Sequence, residues 1–191
     1  MSKFADVRSV QQLVDEIHLG AQPRFLYFWG HRASKPGAVS KSCFSQWYEA
    51  SFSVDGTHYP TAEHFMMAEK ARAFGDESVR ARVLAARSAA EAKALGRQVS
   101  GFEEAVWNEV RFSIVVTANQ AKFSQNPDLR AFLLGTGEQV LVEASPVDGI
   151  WGMGLAADHD DASIPERWPG LNLLGFALMD VRARLANQRP H

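Results

Sequence analysis

The 191-residue chain holds a single cysteine, Cys43, so no disulfide can form within it and a disulfide-stapled scaffold is excluded. Its six histidines are scattered, and with one thiol they make no structural zinc site, so no metal is expected. No apolar run approaches the roughly 20 residues that a membrane-spanning helix requires. Neither sign of charge dominates: 20 basic against 22 acidic side chains leave a formal net charge of -2. That balance supplies no field to draw in nucleic acid or an anionic membrane non-specifically. No signal peptide is visible, and with one thiol the expected location is a reducing cytoplasm. There is no Walker loop, no G-x-G-x-x-G dinucleotide fingerprint and no nucleophile elbow. Nucleoside-triphosphate hydrolysis and hydride transfer therefore lack support, and no cofactor is expected.

What is present is ordinary globular material, 46% hydrophobic and 22% charged, long enough to bury a substantial core as one domain. Val7, Val10, Leu13, Val14 and Ile17 share one helical face, ended by Gly20. Residues 1–20 thus read as a helical extension packed on a domain that spans 21–191. Arg24 to Trp29 reads as a buried strand and Gly30 to Ser40 as a surface loop. A second strand is expected from Phe44 to Val54, with Asp55-Gly56 as a hairpin turn. Thr61 is a fitting N-cap for a helix from Ala62 to Ala73. Further helices are expected over 76–86, 88–96, 102–123, 127–134 and 172–186, and a strand over 139–143. Few strands among many helices predict an α+β fold, predominantly helical and compact, with a small mixed sheet.

Two blocks carry candidate chemistry. Glu63 and Lys70 stand seven residues apart on one helical stripe, with Cα atoms about 10 Å apart. That is too far for the usual helical ion pair, and suits two long side chains converging on a ligand above Met66 and Met67. Two solvated charges on an amphipathic helix would read the same way. The second block, Asp148-Gly149-Ile150-Trp151-Gly152, follows a strand. It sets an acid beside an indole and a glycine that lets backbone approach a flat ligand. An Asp that caps a turn and a Trp that plugs the core would also satisfy it. Phe44-Ser45-Gln46-Trp47 offers two aromatics around a hydroxyl and an amide, and Trp107 lies within the long helix. Core packing accounts for both. Asn172 could cap the last helix and Gly175 could admit close packing. His58 and His64 form no metal-ligand pattern, and Cys43 has no histidine near it in sequence.

These blocks, in this order, resemble the NADAR superfamily, also called YbiA-like, over roughly residues 25–185. The landmarks are Phe44-Ser45-Gln46-Trp47, Tyr59-Pro60-Thr61-Ala62-Glu63-His64 with Lys70-Ala71, Trp107, and Ala121-Lys122-Phe123. Leu141-Val142-Glu143, Asp148 with Trp151-Gly152, and Asn172-Leu173-Leu174-Gly175 with Leu178-Met179 and Arg182 follow. The resemblance implies a mainly helical α+β domain that cleaves a C–N bond between ribose and a base or amine. It places the family's glutamate on Glu63, its lysine on Lys70, and its Asp…Trp-Gly on Asp148, Trp151 and Gly152. Where the family often has Phe-Ser-Asn-Phe this chain has Gln46 and Trp47, and where it often has glutamines this chain has Met67 and Glu69. These departures bear on base selectivity.

The expectation is therefore an N-glycosidase acting on ribosylamino-pyrimidine phosphates of riboflavin biosynthesis. The alternatives are a glycohydrolase that removes ADP-ribose from guanine in nucleic acid, and a non-catalytic module that binds ADP-ribose or NAD. Glu63, Lys70 and Asp148 are the expected catalytic set, meeting around one pocket. Phe44, Trp47, Trp107, Trp151, Gly152 and Asn172 are the expected substrate contacts. A small-molecule substrate is the expected partner, with nucleic acid only under the first alternative and no obligate protein partner. Arg24, Arg32 and Lys35 are positional candidates for a phosphate.

Overall fold

The computed structural model describes residues 4, 6–32 and 38–188. In chain order its elements are α1 (Val10–His18), β1 (Phe25–Phe28), a 3-10 turn (Lys41–Phe44), β2 (Phe52–Val54), β3 (Thr57–Tyr59) and α2 (Ala62–Ala73). Then come α3 (Glu77–Leu84), α4 (Ala89–Gly96), α5 (Glu104–Gln125), α6 (Pro127–Gly135), β4 (Val140–Glu143), a 3-10 turn (Pro165–Arg167) and α7 (Leu173–Asn187). The protein is α+β and predominantly helical. It divides into two compact units: residues up to Phe44 together with those from Asp128 onward, and Ser45–Pro127.

In the unit Ser45–Pro127, α2 is the central element. Ala62 through Ala68, and Ala71, are all buried, so this helix has no water-facing stripe over its first two turns. β3, α3, α4 and α5 pack on it. Side chains set its neighbours' starts: Thr61 accepts from the His64 N–H, Asp76 from Val79 and Ser88 from Glu91, as capping requires. The Asp55-Gly56 turn, with φ of 49° and 76°, joins β2 to β3 in antiparallel register with Phe52 opposite Tyr59. Tyr59 meets Phe65 of α2 edge-on, ring centroids 5.0 Å apart.

The strand expected from Phe44 to Val54 is realised only at Phe52–Val54. Phe44 instead closes a 3-10 turn. Past it the Ser45 carbonyl accepts from the Tyr48 N–H at 3.2 Å, and the Ser45 hydroxyl from the Trp47 N–H at 3.2 Å. The aromatic residues there suggested a strand, but local serine hydrogen bonds bend the chain first.

In the other unit, β1 and β4 run parallel, Phe25 opposite Val140. Val140, Leu141 and Val142 are fully buried, as parallel strands are. The strands thus form one parallel and one antiparallel pair among the described residues. Leu13 and Val14 of α1 are buried, and α1 packs on the Pro165–Arg167 turn. α7 lies on β4, and Gly175 is the reason it can: a Cβ there would run into the Leu141 carbonyl oxygen and the Asn172 amide. No helix among the described residues is long and apolar enough to cross a membrane.

Gly175→Ala should therefore cost about 1–3 kcal/mol of stability, the usual penalty for forcing a carbon into a closed core. Urea unfolding measures it. An unchanged midpoint would mean that α7 and β4 do not approach as closely as described.

Candidate active site

Glu63 lies in the first turn of α2, where the helix dipole favours an anion, and is only 3% exposed. Its backbone N–H donates to the Gln46 carbonyl at 3.0 Å. Beside it, the His64 ring spans Thr61 and Ala86. Nε2 faces the Ala86 carbonyl at 3.1 Å, and Nδ1 faces the Thr61 hydroxyl at 2.8 Å. A carbonyl only accepts, so Nε2 carries the proton and Nδ1 takes the hydroxyl's. Burial lowers the His64 pKa, which keeps the ring neutral and structural.

Two turns along the same stripe, the half-buried Lys70 does not run out into water. Its Nζ donates to the Gly96 carbonyl at 2.9 Å, at the end of α4. It sits 4.3 Å from the ring centroid of Phe102 and 5.8 Å from that of Trp107. Loss of water around the amine lowers its pKa, and the nearby Arg97 lowers it further. Phe102 packs on Phe74, centroids 5.3 Å apart, and stays 44% exposed, whereas Trp107 is 9% exposed. Lys70 is therefore an amine under an aromatic cover with one open ring. Phe102 was not among the expected site residues. Helical spacing ties Lys70 to its own stripe only, and Phe102 reaches it from the loop before α5. Trp47, half-buried, has the Lys93 Nζ 5.7 Å from its ring. Met66 and Met67 are buried beneath this stripe.

In the other unit the Asp148 turn is built from inside. Asp148 Oδ1 accepts from the Ile150 and Trp151 N–H groups at 2.9 and 2.8 Å, which leaves Oδ2 for a ligand. Trp151 is half-buried, so part of the indole is open. Gly152 is buried where a Cβ would press on the Glu143 carbonyl at 2.8 Å and the Asp148 carbonyl at 2.9 Å. It lets the turn close on the end of β4. Asn172 is wholly buried with φ of 50°, and its side chain makes no cap bond to α7. Instead its Nδ2 donates to the Leu141 carbonyl and its Oδ1 accepts from the Glu143 N–H. Its main chain donates to the Gly152 carbonyl at 3.0 Å, so one residue clamps strand and turn together. Phe44 is wholly buried between Phe28 and Phe132, at 5.4 and 5.5 Å. Arg24 and Arg32 are exposed, and Lys35 lies outside the described residues. Among the described residues no three His, Cys, Asp or Glu side chains stand where they could share a metal ion.

The aromatic cover on Lys70 has a measurable consequence. In reductively 13C-methylated protein the Lys70 signal should titrate at lower pH than those of exposed lysines. Phe102→Ala should move it up by more than Arg97→Ala does, because desolvation is the larger cause. A Lys70 signal that titrates with the surface lysines would contradict the geometry.

Known proteins are similar to this chain over most of its length. A family model for the NADAR domain matches residues 27–186. An N-glycosidase of Acanthamoeba polyphaga mimivirus is 41% identical over 165 residues, 83% of this chain and 95% of that protein. The N-glycosidase YbiA of Escherichia coli is 34% identical over 146 residues, 76% of this chain and 82% of its own. A riboflavin biosynthesis protein of Vibrio vulnificus is 33% identical over 147 residues, which is 77% of this chain and 36% of that larger protein. The solution structure of the Escherichia coli YbiA protein superposes with a TM-score of 0.67 at 29% identity, covering 90% of this chain and 92% of the other. The chain belongs to the NADAR domain family.

Proposed function

We propose that this N-glycosidase hydrolyses the bond between ribose and nitrogen in ribosylamino-pyrimidine phosphates, reactive early intermediates of riboflavin biosynthesis. Several relatives bear the name N-glycosidase, and the name of one ties it to riboflavin biosynthesis. The observation that carries the reading is on α2. A carboxyl group withdrawn from water and an amine with a lowered pKa occupy one stripe of one helix. Binding alone has no use for an amine prepared in this way.

The chemistry follows from those two groups. A ribosylamine opens to an imine at its anomeric carbon. The neutral Lys70 amine adds to that carbon, forming a new C–N bond. Glu63 carries the proton from the attacking nitrogen to the departing one, and the bond to the pyrimidine amine breaks. A Schiff base between Lys70 and the sugar remains, and water hydrolyses it to free sugar and free amine. A lowered lysine pKa matters because only the neutral amine attacks. Asp148, with Oδ2 outside its turn's own hydrogen bonds, is the further carboxylate proposed for catalysis. The half-buried rings of Trp151 and of Trp47 each offer a partly open stacking surface. Arg24, Arg32 and Lys35 are proposed for the phosphate from their place in the chain alone.

The test is product analysis with two substrates, a ribosylamino-pyrimidine phosphate and an oligonucleotide carrying ADP-ribosylated guanine. Release of ribose phosphate from the first is expected. Release of ADP-ribose from the second alone would overturn the substrate assignment, and tight binding of ADP-ribose with no product from either would mark a non-catalytic module. Glu63→Gln should lower kcat by roughly 100- to 10,000-fold, the range for a lost general acid–base. A variant with native kcat would remove Glu63 from the reaction.

A further inference from the structure

Lys122 is a lysine with no exposed surface at all, on the last turns of α5. Burial of a lone ammonium or a lone carboxylate is costly enough that each would shed its charge. In the unit Ser45–Pro127, the buried charged side chains among the described residues are Glu63 and Lys122, beside the neutral His64. Both hold the same piece of main chain. The Ser45 carbonyl accepts from Lys122 Nζ at 2.9 Å, and the next carbonyl, of Gln46, accepts from the Glu63 N–H at 3.0 Å. One turn before Lys122, Asn119 donates to the Gln46 side chain at 2.8 Å. The first turn of α2 and the last turns of α5 thus meet at two consecutive peptide groups. The far ends agree with an antiparallel pair, since Lys70 late in α2 meets Trp107 early in α5.

We propose that Lys122 is the buried counter-ion of Glu63 and holds its carboxyl group ionised in the resting protein. Several other charges on or beside α2 have engagements of their own, and Arg111 of α5 stands eleven residues, about three turns, before Lys122. Lys70 donates to Gly96, Lys93 of α4 lies over Trp47, Arg80 of α3 pairs with Glu77, Glu91 of α4 accepts from the Arg87 N–H, and His58 of β3 is exposed. The Tyr48 and Phe123 rings, 5.5 and 5.3 Å from Lys122 Nζ, keep the pair's surroundings apolar without supplying a negative charge. Lys122 is on this account a positioning residue. It makes Glu63 a proton acceptor at the start of the cycle, so that the carboxylate first takes the proton of the attacking nitrogen and only then gives it to the departing one. That role rests on the N-glycosidase reading, whereas the charge pairing does not.

The experiment follows the Glu63 carboxyl carbon by 13C NMR against pH, assigned by its loss in Glu63→Gln. In the native protein the midpoint should lie at least about one pH unit below the ordinary glutamate value near 4.3. Lys122→Met should raise it by about two units or more, and Lys122→Arg, which keeps the charge, should leave it low. A native midpoint at or above the ordinary value, or one that Lys122→Met leaves in place, overturns the pairing. Should Lys122→Met not fold, the native titration still decides. The double variant Lys122→Met with Glu63→Gln supplies a second test, because removing both charges should restore folding that removing one destroys. A double variant no better folded than the single one also overturns the proposal. A low native midpoint in a protein that turns over neither substrate class would leave the pairing standing and remove the proposed function.

Discussion

The burial of the first two turns of α2 on all sides is the constraint on which the rest depends. Turns without a water-facing stripe cannot leave their polar side chains to solvent, so those must be answered from within the protein. Thr61 and Ala86 answer His64, the end of α4 answers Lys70, and the Ser45–Gln46 peptides tie the first turn to α5. These same contacts prepare the chemistry. The carboxyl group is kept from water, and the amine, held between a carbonyl and two aromatic rings, has its pKa lowered by that burial. Interactions that satisfy a buried helix thereby become those that adjust the proposed catalytic pair.

The other unit solves a different problem, that of presenting an acid and an indole on a turn without letting the turn move. Asp148 spends one oxygen on the turn's own N–H groups, and Asn172 holds β4 through both ends of its amide and the turn through its main-chain N–H. Gly152 and Gly175 are required because carbonyl oxygens of the strand and turn occupy the places a Cβ would take. The rigidity comes from main-chain packing, and what remains open is one carboxylate oxygen and part of the Trp151 ring.

Much of this was legible in the sequence because it was local. The bounds of α2 follow from Thr61 as its cap and Gly75 as its stop, and the Asp55-Gly56 hairpin from turn chemistry that needs positive φ at both residues. After Phe44 the aromatic content suggests a strand, but hydrogen bonds to the serine at 45 turn the chain. Asn172 was legible as a residue at a helix start but not as a clamp, since its partners at 141 and 143 lie some thirty residues away. Phe102 and Lys122 escaped for the same reason. Nothing in the local pattern tells a lysine on an amphipathic helix from one with no exposed surface, because that depends on which elements close over it. Periodicity locates faces, while the pairing of a buried charge is a tertiary property.

In the proposed reaction the sheltered amine of Lys70 is the group that bonds to the sugar. Turnover of a ribosylamino-pyrimidine phosphate in the presence of borohydride, followed by peptide mass spectrometry, tests that directly. The account predicts a sugar-phosphate mass reduced onto Lys70 with matching loss of activity. Continued turnover with Lys70 unmodified would contradict it.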